Sequence, residues 1–173
     1  MAIAGQEETR RAAYKAGALA LVIAGAAILI ALAFEHIGGY LPCPFCLQQR
    51  YAYYLGIPLL FIALALVSGG HRYPAGLIFL FVSLAFLANA GLGAYHAGAE
   101  WGLWPGPQSC AAVQDLTTSA GALLESLPES NVVRCDEAAW RFAGLSFAGW
   151  NVVTSLVVFG ASLRAAADSV PSH

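Results

Sequence analysis

Charged side chains are scarce in this 173-residue sequence, which has eight Lys and Arg and ten Asp and Glu residues, or 10% of the chain. Soluble domains carry roughly 25% charged residues, so this scarcity argues against an ordinary soluble protein. The net charge of -2 argues against a nucleic-acid partner, because phosphate binding requires clustered basic side chains. The hydrophobic content of 59% excludes disorder, and no glycine period of the collagen type occurs. The remaining class is a membrane protein.

Four apolar stretches contain no Asp, Glu, Lys or Arg, and each is close to the ~20 residues that a helix needs to cross a bilayer. They cover residues 16–34, 51–70, 73–95 and 142–163. Only helices satisfy their own backbone in lipid at these lengths. The sequence therefore predicts an all-α membrane protein, a single domain over residues 1–173 built as a four-transmembrane-helix bundle.

The distribution of Lys and Arg predicts the orientation. With a cytoplasmic N-terminus, five of the eight basic residues lie on the cytoplasmic side, while seven of the ten acidic residues lie outside. The positive-inside rule favours this arrangement, with both termini in the cytoplasm. The first apolar stretch exceeds the 7–15 residues of a signal-peptide core, so we expect this span to be retained.

The outer loops under this topology are residues 35–50 and 96–141, and they contain all four cysteines of the sequence. Disulfides form and persist in a bacterial periplasm, so we expect a multi-pass protein of the bacterial inner membrane. In the long second loop, apolar residues recur at helical spacing over residues 113–127. This spacing predicts a short amphipathic helix that lies on the membrane surface or caps the bundle.

Cys43 and Cys46 form a Cys-x-x-Cys motif, the spacing used in thiol–disulfide exchange. Cys46 lies about one turn before the second predicted span, and Arg50 follows four residues later. A guanidinium on the same helical face would lower the pKa of that thiol and stabilise an electron-rich reduced cofactor. A static disulfide is the alternative. We expect no metal site, because the other two cysteines lack the compact spacing of a second zinc half-site.

Cys110 and Cys135 are separated by 24 residues. A disulfide between them would stabilise the long loop by roughly 3.5 kcal/mol in the chain-entropy model. The Gly- and Pro-rich flank before Cys110 equally suits an exposed bridge that a partner's thiolate could attack. Four cysteines allow three pairings, and both a structural and a redox-active role remain open from the residues alone.

Three segments resemble the DsbB family, the membrane quinone reductases that reoxidise DsbA. Residues 41–51 (LPCPFCLQQRY) resemble the Cys-x-x-Cys-x-x-Gln-Arg segment of that family. Residues 95–107, which lead to Cys110, and residues 135–140, which lead into the last span, are also similar to it. The resemblance extends over residues 15–163.

The resemblance implies a role for each cysteine. Cys43 and Cys46 would be the pair next to the quinone, with Cys46 the sulfur that engages it. Cys110 would form the mixed disulfide with a periplasmic DsbA-like thioredoxin-fold protein, and Cys135 would be its partner. A four-cysteine chain of this kind oxidises a soluble protein at one pair and reduces a lipid-soluble carrier at the other.

The resemblance also implies a cofactor site. Arg50 would lie beside a carbonyl of ubiquinone or menaquinone, and His96 would lie at the same site. Without the resemblance, a histidine at the end of a span is more often an interfacial anchor. DsbA is a strong oxidant with a potential near -120 mV, so its reoxidation requires a stronger acceptor such as a quinone.

Two other functions fit parts of the pattern. A vitamin K epoxide reductase-like enzyme also combines four spans, a Cys-x-x-Cys and a quinone, but its quinone-side motif belongs to the last span. A non-enzymatic membrane scaffold would use both disulfides only to stabilise its outer loops. Thiol trapping under quinone depletion separates an enzyme, which accumulates reduced cysteines, from a scaffold.

Several polar and small residues have structural interpretations. Asn89 and Asn151 lie within spans and are predicted to form interhelical hydrogen bonds. Gly144 and Ala148 are four residues apart and are predicted to permit close helix packing. Glu35 is interpreted as a solvated residue at the end of the first span.

Overall fold

Four long helices form the architecture in a computed structural model that describes residues 2–106, 138 and 140–170. The helices are α1 (Ala2–His36), α2 (Pro44–Ser68), α3 (Arg72–Glu100) and α4 (Phe147–Ser169). Each is long and apolar enough to cross a membrane. The predicted four-helix membrane bundle is therefore confirmed. The amphipathic helix predicted over residues 113–127, together with Cys110 and Cys135, lies outside the described residues.

The helices pack in a ring in which each contacts its two neighbours. The contacts join α1 to α2, α2 to α3, α3 to α4 and α4 to α1, whereas α2 and α4 face each other across the bundle and touch very little. The outward faces carry large exposed apolar side chains such as Val22, Phe61 and Leu84, which suit a lipid environment. The open diagonal between α2 and α4 leaves room for an internal cavity.

Small residues let the helices approach closely around two buried aromatic rings. Phe79 and Phe86 of α3 are fully buried. A Cβ atom added at Gly17 would lie 2.6 Å from the ring of Phe79, and one added at Gly56 would lie 2.6 Å from the ring of Phe86. Lipid provides no hydrophobic force between helices, so this close packing holds the bundle together.

Helix α2 begins at Pro44, seven residues before the predicted start of the second span at residue 51. Cys43 is its N-cap, with extended backbone angles and a side chain that accepts a hydrogen bond from the Cys46 N–H. Proline suits the first helical position because its missing N–H has no helical partner there. The prediction placed the span after Arg50 because it counted only uncharged residues, yet this charged residue lies within the helix.

Helices α3 and α4 also end beyond the predicted spans. Helix α3 continues past residue 95 to Glu100, so the second loop starts later than residue 96. Helix α4 ends at Ser169, after Arg164, whose exposed guanidinium pairs with Asp168 one turn later. The uncharged stretches locate the spans correctly, but a helix does not end where its first charged residue occurs.

A short hairpin replaces the predicted start of the last span. Strands β1 (Arg141–Phe142) and β2 (Leu145–Ser146) pair in antiparallel register before α4 begins. The turn between them has positive φ angles at Ala143 (51°) and Gly144 (83°), as a two-residue hairpin turn requires. The prediction that Gly144 packs within a helix against a neighbour is therefore wrong.

A leucine at Gly56 is expected to destabilise the bundle, whereas a leucine at Gly91 should not. Both substitutions increase helix propensity, but only the first would place atoms against Phe86, since the space around Gly91 is open. Overpacking costs about 1–3 kcal/mol. Unfolding in mixed detergent micelles would measure the difference, and equal stability of Gly56→Leu and Gly91→Leu would contradict this account of the packing.

Candidate active site

A cavity of about 390 Å³ lies where α2 begins, α3 ends and α4 begins. All four helices contribute to its wall, and most of the wall is apolar, including Ile28 and Phe34 of α1 and Phe147 of α4. The polar groups lie together and include Cys43, Cys46, Gln49, Arg50, His96 and Glu100. This combination of an apolar volume and a few convergent polar groups is typical of a ligand site.

Cys43 and Cys46 are free thiols whose sulfur atoms lie 2.7 Å apart. Cys43 is buried, with 2% of its surface exposed, whereas Cys46 is half-buried. The Cys46 backbone N–H points at the Cys43 sulfur at 3.2 Å. The start of α2 thus places both sulfurs within reach of one bond, with the sulfur of Cys43 held in the helix cap.

His96 lies beside the sulfur of Cys43 and lines the same cavity as Arg50; its role at a quinone site remains a prediction. Its Nε2 is 3.7 Å from the Cys43 sulfur, and its Nδ1 is 2.9 Å from Nε2 of Gln49. Because the Gln49 amide nitrogen can only donate, Nδ1 accepts and Nε2 carries the proton that faces the sulfur. The buried imidazole is thus oriented from one side by an amide and donates to a thiolate on the other.

These contacts make Cys43 the sulfur that is stabilised as a thiolate. The hydrogen bond from Cys46 contributes most, and His96 adds a second hydrogen bond, so the pKa of Cys43 falls to about 5 despite burial. The N-terminal end of α2 favours a negative charge at the same position. The anionic sulfur of the reduced pair is therefore Cys43.

Arg50 lines the cavity together with Cys46, but its guanidinium pairs with a residue of another helix. Its Nη1 contacts the Glu35 carboxylate of α1, and only 11% of the Arg50 side chain is exposed. The interpretation of Glu35 as a solvated helix end is therefore wrong, because the carboxylate is largely buried against this cation. Removing one partner of such a pair leaves an uncompensated charge.

Glu100 closes the other side of the sulfur–imidazole cluster. One carboxylate oxygen lies 3.8 Å from His96 Nε2, and the other accepts a hydrogen bond from Ser146 at the N-cap of α4. Its side chain is 6% exposed. The end of α3 and the start of α4 therefore meet at this carboxylate.

A chain of buried side-chain hydrogen bonds connects His96 to the middle of the bundle. Gln49 Oε1 accepts from Asn151 Nδ2 at 2.7 Å, and Asn151 Oδ1 accepts from the Tyr53 hydroxyl at 2.7 Å. Asn89 donates to Ser155 at 3.0 Å. The predicted interhelical hydrogen bonds of Asn89 and Asn151 are present, and those of Asn151 orient the site.

The sequence analysis identified four of the side chains that meet here, Cys43, Cys46, Arg50 and His96. It missed Gln49, Glu35 and Glu100. Glu35 and Glu100 could have been identified because they stand at the ends of predicted spans. A charged residue at such a position can pair with a group on another helix as readily as it can face water. The placement of Cys110 and Cys135 relative to this site remains a prediction, since both lie outside the described residues.

The Cys43 thiolate gives a pH-dependent signal in the reduced, metal-free protein that carries Cys110→Ser and Cys135→Ser. We expect ultraviolet thiolate absorbance to appear as the pH rises through about 5, well below the ~8.5 of an ordinary cysteine. Because the pKa of Cys43 is lower in the folded protein than in the unfolded chain, the thiolate stabilises the folded state in full above about pH 8.5. This stabilisation is lost as the pH falls towards 5.

Two substitutions should move this transition to higher pH. Cys46→Ala removes the largest stabilising hydrogen bond, and His96→Phe removes the second donor. His71→Phe, at an exposed histidine between α2 and α3, is the matched control. An unchanged transition in Cys46→Ala would show that the neighbouring thiol does not stabilise Cys43.

Comparison with known proteins agrees with this arrangement. The family model described as "Disulfide bond formation protein DsbB" matches residues 13–165. Among curated relatives, disulfide bond formation protein B of Marinobacter nauticus is 35% identical over 83% of this chain and 86% of its own length. Its namesake from Verminephrobacter eiseniae is 32% identical over 77% of this chain and 75% of its own length. No solved structure matches the chain significantly. The four helices, the reduced cysteine pair at the start of α2 and these matches lead to one conclusion: the chain belongs to the DsbB family and functions in disulfide bond formation.

Proposed function

We propose that this chain oxidises the thiols of a periplasmic DsbA-like protein and passes the electrons to a membrane quinone, as a protein-dithiol:quinone oxidoreductase. The observation that carries the proposal is the reduced Cys43–Cys46 pair at the edge of an apolar cavity inside a membrane bundle. A structural disulfide needs neither a stabilised thiolate nor such a cavity. This argues against the scaffold alternative.

The cavity fits a quinone. Its volume of about 390 Å³ falls within the range of small-molecule sites, and its wall is mainly apolar. The Arg50 guanidinium, which lines the cavity, has N–H groups beyond the one that contacts Glu35 and would supply a donor at the polar end, where a carbonyl oxygen would lie; His96 lines the same end and holds the Cys43 sulfur. When bound, a quinone would supply a two-electron, two-proton acceptor.

The two sulfurs would have different tasks in the oxidation of the pair. Cys46 is the more exposed residue of the pair and lines the cavity. We therefore assign to its sulfur the reaction with the electron acceptor. The Cys43 thiolate lies 2.7 Å from it and is placed to form the S–S bond. Closing that bond from the Cys43 thiolate and the Cys46 thiol releases two electrons and one proton, and the second proton that a quinone takes up would come from water. His96 and the Cys46 N–H hold the Cys43 sulfur in line for this step.

The upstream step would use the other two cysteines. We propose that a partner thiolate attacks the Cys110–Cys135 disulfide at Cys110, that a second partner thiol releases Cys110, and that the reduced pair then reduces Cys43–Cys46. Each exchange forms one disulfide and breaks another, so electrons move inwards in pairs. The proposal places both outer loops in the periplasm and both termini in the cytoplasm of a bacterial inner membrane.

The vitamin K epoxide reductase-like alternative is not supported. In this chain the Cys-x-x-Cys motif forms the start of α2, with Cys43 as the N-cap and Cys46 in the first turn, rather than belonging to the last helix. The family match also covers residues 13–165, and so includes all four helices except the first residues of α1 and the last residues of α4.

Arg50→Gln should slow quinone reduction at least 10-fold in the purified, reduced protein supplied with a short-chain ubiquinone. The double variant Glu35→Gln/Arg50→Gln keeps the buried pair neutral, so it separates loss of the guanidinium from the cost of an unpaired carboxylate. Arg164→Gln, at an exposed ion pair outside the cavity, is the control. Wild-type quinone kinetics in the double variant would contradict the role of Arg50.

Cys135→Ser should accumulate a reductant-sensitive adduct between Cys110 and a periplasmic protein, because the free Cys110 thiolate can attack the disulfide of the oxidised partner and Cys135, which would displace the partner in turn, is missing. Mass spectrometry of the adduct would identify the partner and the cysteine. Replacing Cys110 as well should abolish the adduct. A partner attached through Cys43 or Cys46 instead would contradict the proposed order of exchange.

A further inference from the structure

The three nucleophilic atoms at the cavity are arranged as metal ligands. The sulfurs of Cys43 and Cys46 and a ring nitrogen of His96 all lie within 4.8 Å of one another. We propose that the reduced pair is a binding site for a thiophilic divalent cation, Zn²⁺ or Cd²⁺, held by both sulfurs and His96 Nε2. Such a site departs from the expectation of no metal, which considered only a site built from all four cysteines.

The distances need little adjustment. Tetrahedral zinc with Zn–S bonds of about 2.3 Å places two sulfurs about 3.8 Å apart, so the present 2.7 Å separation must open by roughly one ångström. The distance of 3.7 Å from the Cys43 sulfur to His96 Nε2 already matches the ~3.6 Å expected for a sulfur and a nitrogen on one tetrahedral ion. The Cys46 N–H that faces the Cys43 sulfur would remain a donor to the bound thiolate.

Gln49 is placed to support the histidine ligand. A histidine that binds a metal through Nε2 carries its proton on Nδ1 and usually donates it to a carbonyl or carboxylate. The Gln49 amide lies 2.9 Å from Nδ1. Turning that amide over would present its oxygen to the Nδ1–H, and the Asn151 amide would turn with it so that its oxygen accepts from the Gln49 amide nitrogen. The same glutamine therefore suits the imidazole in both the metal-free and the metal-bound forms.

Glu100 lies next to the three proposed ligands but is not one of them in this arrangement. Its side chain is 6% exposed and one carboxylate oxygen lies 3.8 Å from His96 Nε2, yet it does not belong to the cluster whose ligand atoms all lie within 4.8 Å of one another. Two thiolates neutralise a divalent cation, and the fourth position of the tetrahedral set that zinc prefers would be filled by water or by movement of this carboxylate. Burial among Cys43, His96 and Glu100 would shield the ion from bulk water.

The site would exist only in the reduced protein. In the disulfide both sulfurs are bonded to each other and neither is a thiolate. Binding forms two S–metal bonds and releases the Cys46 S–H proton, since Cys43 is already a thiolate, with no change of oxidation state. If the proposed function is correct, the bound ion would hold the sulfur electron pairs and prevent the pair from reducing its acceptor.

The test uses the full chain with Cys110→Ser and Cys135→Ser, purified in detergent and titrated with Cd²⁺ alone. We expect one ion per reduced chain, with sulfur-to-cadmium charge-transfer absorbance, and no such band after oxidation to the Cys43–Cys46 disulfide. Zn²⁺ should displace the cadmium. His96→Gln should weaken binding at least 10-fold, whereas His71→Gln should have no effect.

Gln49→Glu provides the decisive variant. A carboxylate facing Nδ1 should tighten Cd²⁺ binding about 10-fold, by analogy with the effects of such supporting groups at other metal sites. A misfolded variant would not bind more tightly, so this result cannot arise from instability. Equal binding to the oxidised chain, or unchanged affinity in both His96→Gln and Gln49→Glu, would overturn the proposal.

The outcome is independent of the proposed function. A chain that reduces quinone but binds no Cd²⁺ would overturn only the metal site. A chain that binds Cd²⁺ but transfers no electrons to quinone would overturn only the proposed enzyme activity.

Discussion

The hydrogen bonding of buried polar groups is the constraint on which this structure depends. A bundle in lipid has no water with which to satisfy an amide or an imidazole, so a buried amide or imidazole without a protein partner costs several kcal/mol. Asn151, Gln49 and His96 avoid that cost by bonding to one another in a row that crosses three helices. The row ends at the sulfur of Cys43. The same bonds that hold α2, α3 and α4 in register therefore also orient the reactive sulfur.

The number and approximate position of the helices could be predicted from the sequence, since about twenty uncharged residues are a strong signal for a span. The helix ends could not. Arg50, Glu35 and Glu100 are charged residues inside helices, and they are tolerated there because each pairs with a group on another element. A rule that ends a span at the first charge cannot detect such partners. The hairpin before α4 was also missed, because its apolar residues do not differ in composition from the helix that follows.

The residues that carry the chemistry of the site were easier to predict than the contacts between them. The Cys-x-x-Cys spacing and the family resemblance identified Cys43 and Cys46, and the resemblance added Arg50 and His96. Sequence spacing suggested that Arg50 would stabilise the sulfur of Cys46, one turn away. Instead the guanidinium pairs with Glu35, and His96 faces the sulfur of Cys43 from a residue 53 positions further along the chain. Contacts over such separations depend on the packing of the ring of helices, which local spacing does not specify.

The position of Trp140 sets an upper limit on the distance between Cys135 and the cavity. Trp140 packs on Phe142 and Phe147 and lines the cavity beside Cys46. Cys135 is five residues earlier, so a fully extended chain allows it at most about 18 Å from that anchor. Gly106 at the opposite end of the gap restricts Cys110 to about 14 Å by the same measure. In the proposed function, chain length alone would therefore hold Cys135 within this distance of a tryptophan that lines the same cavity as Cys46.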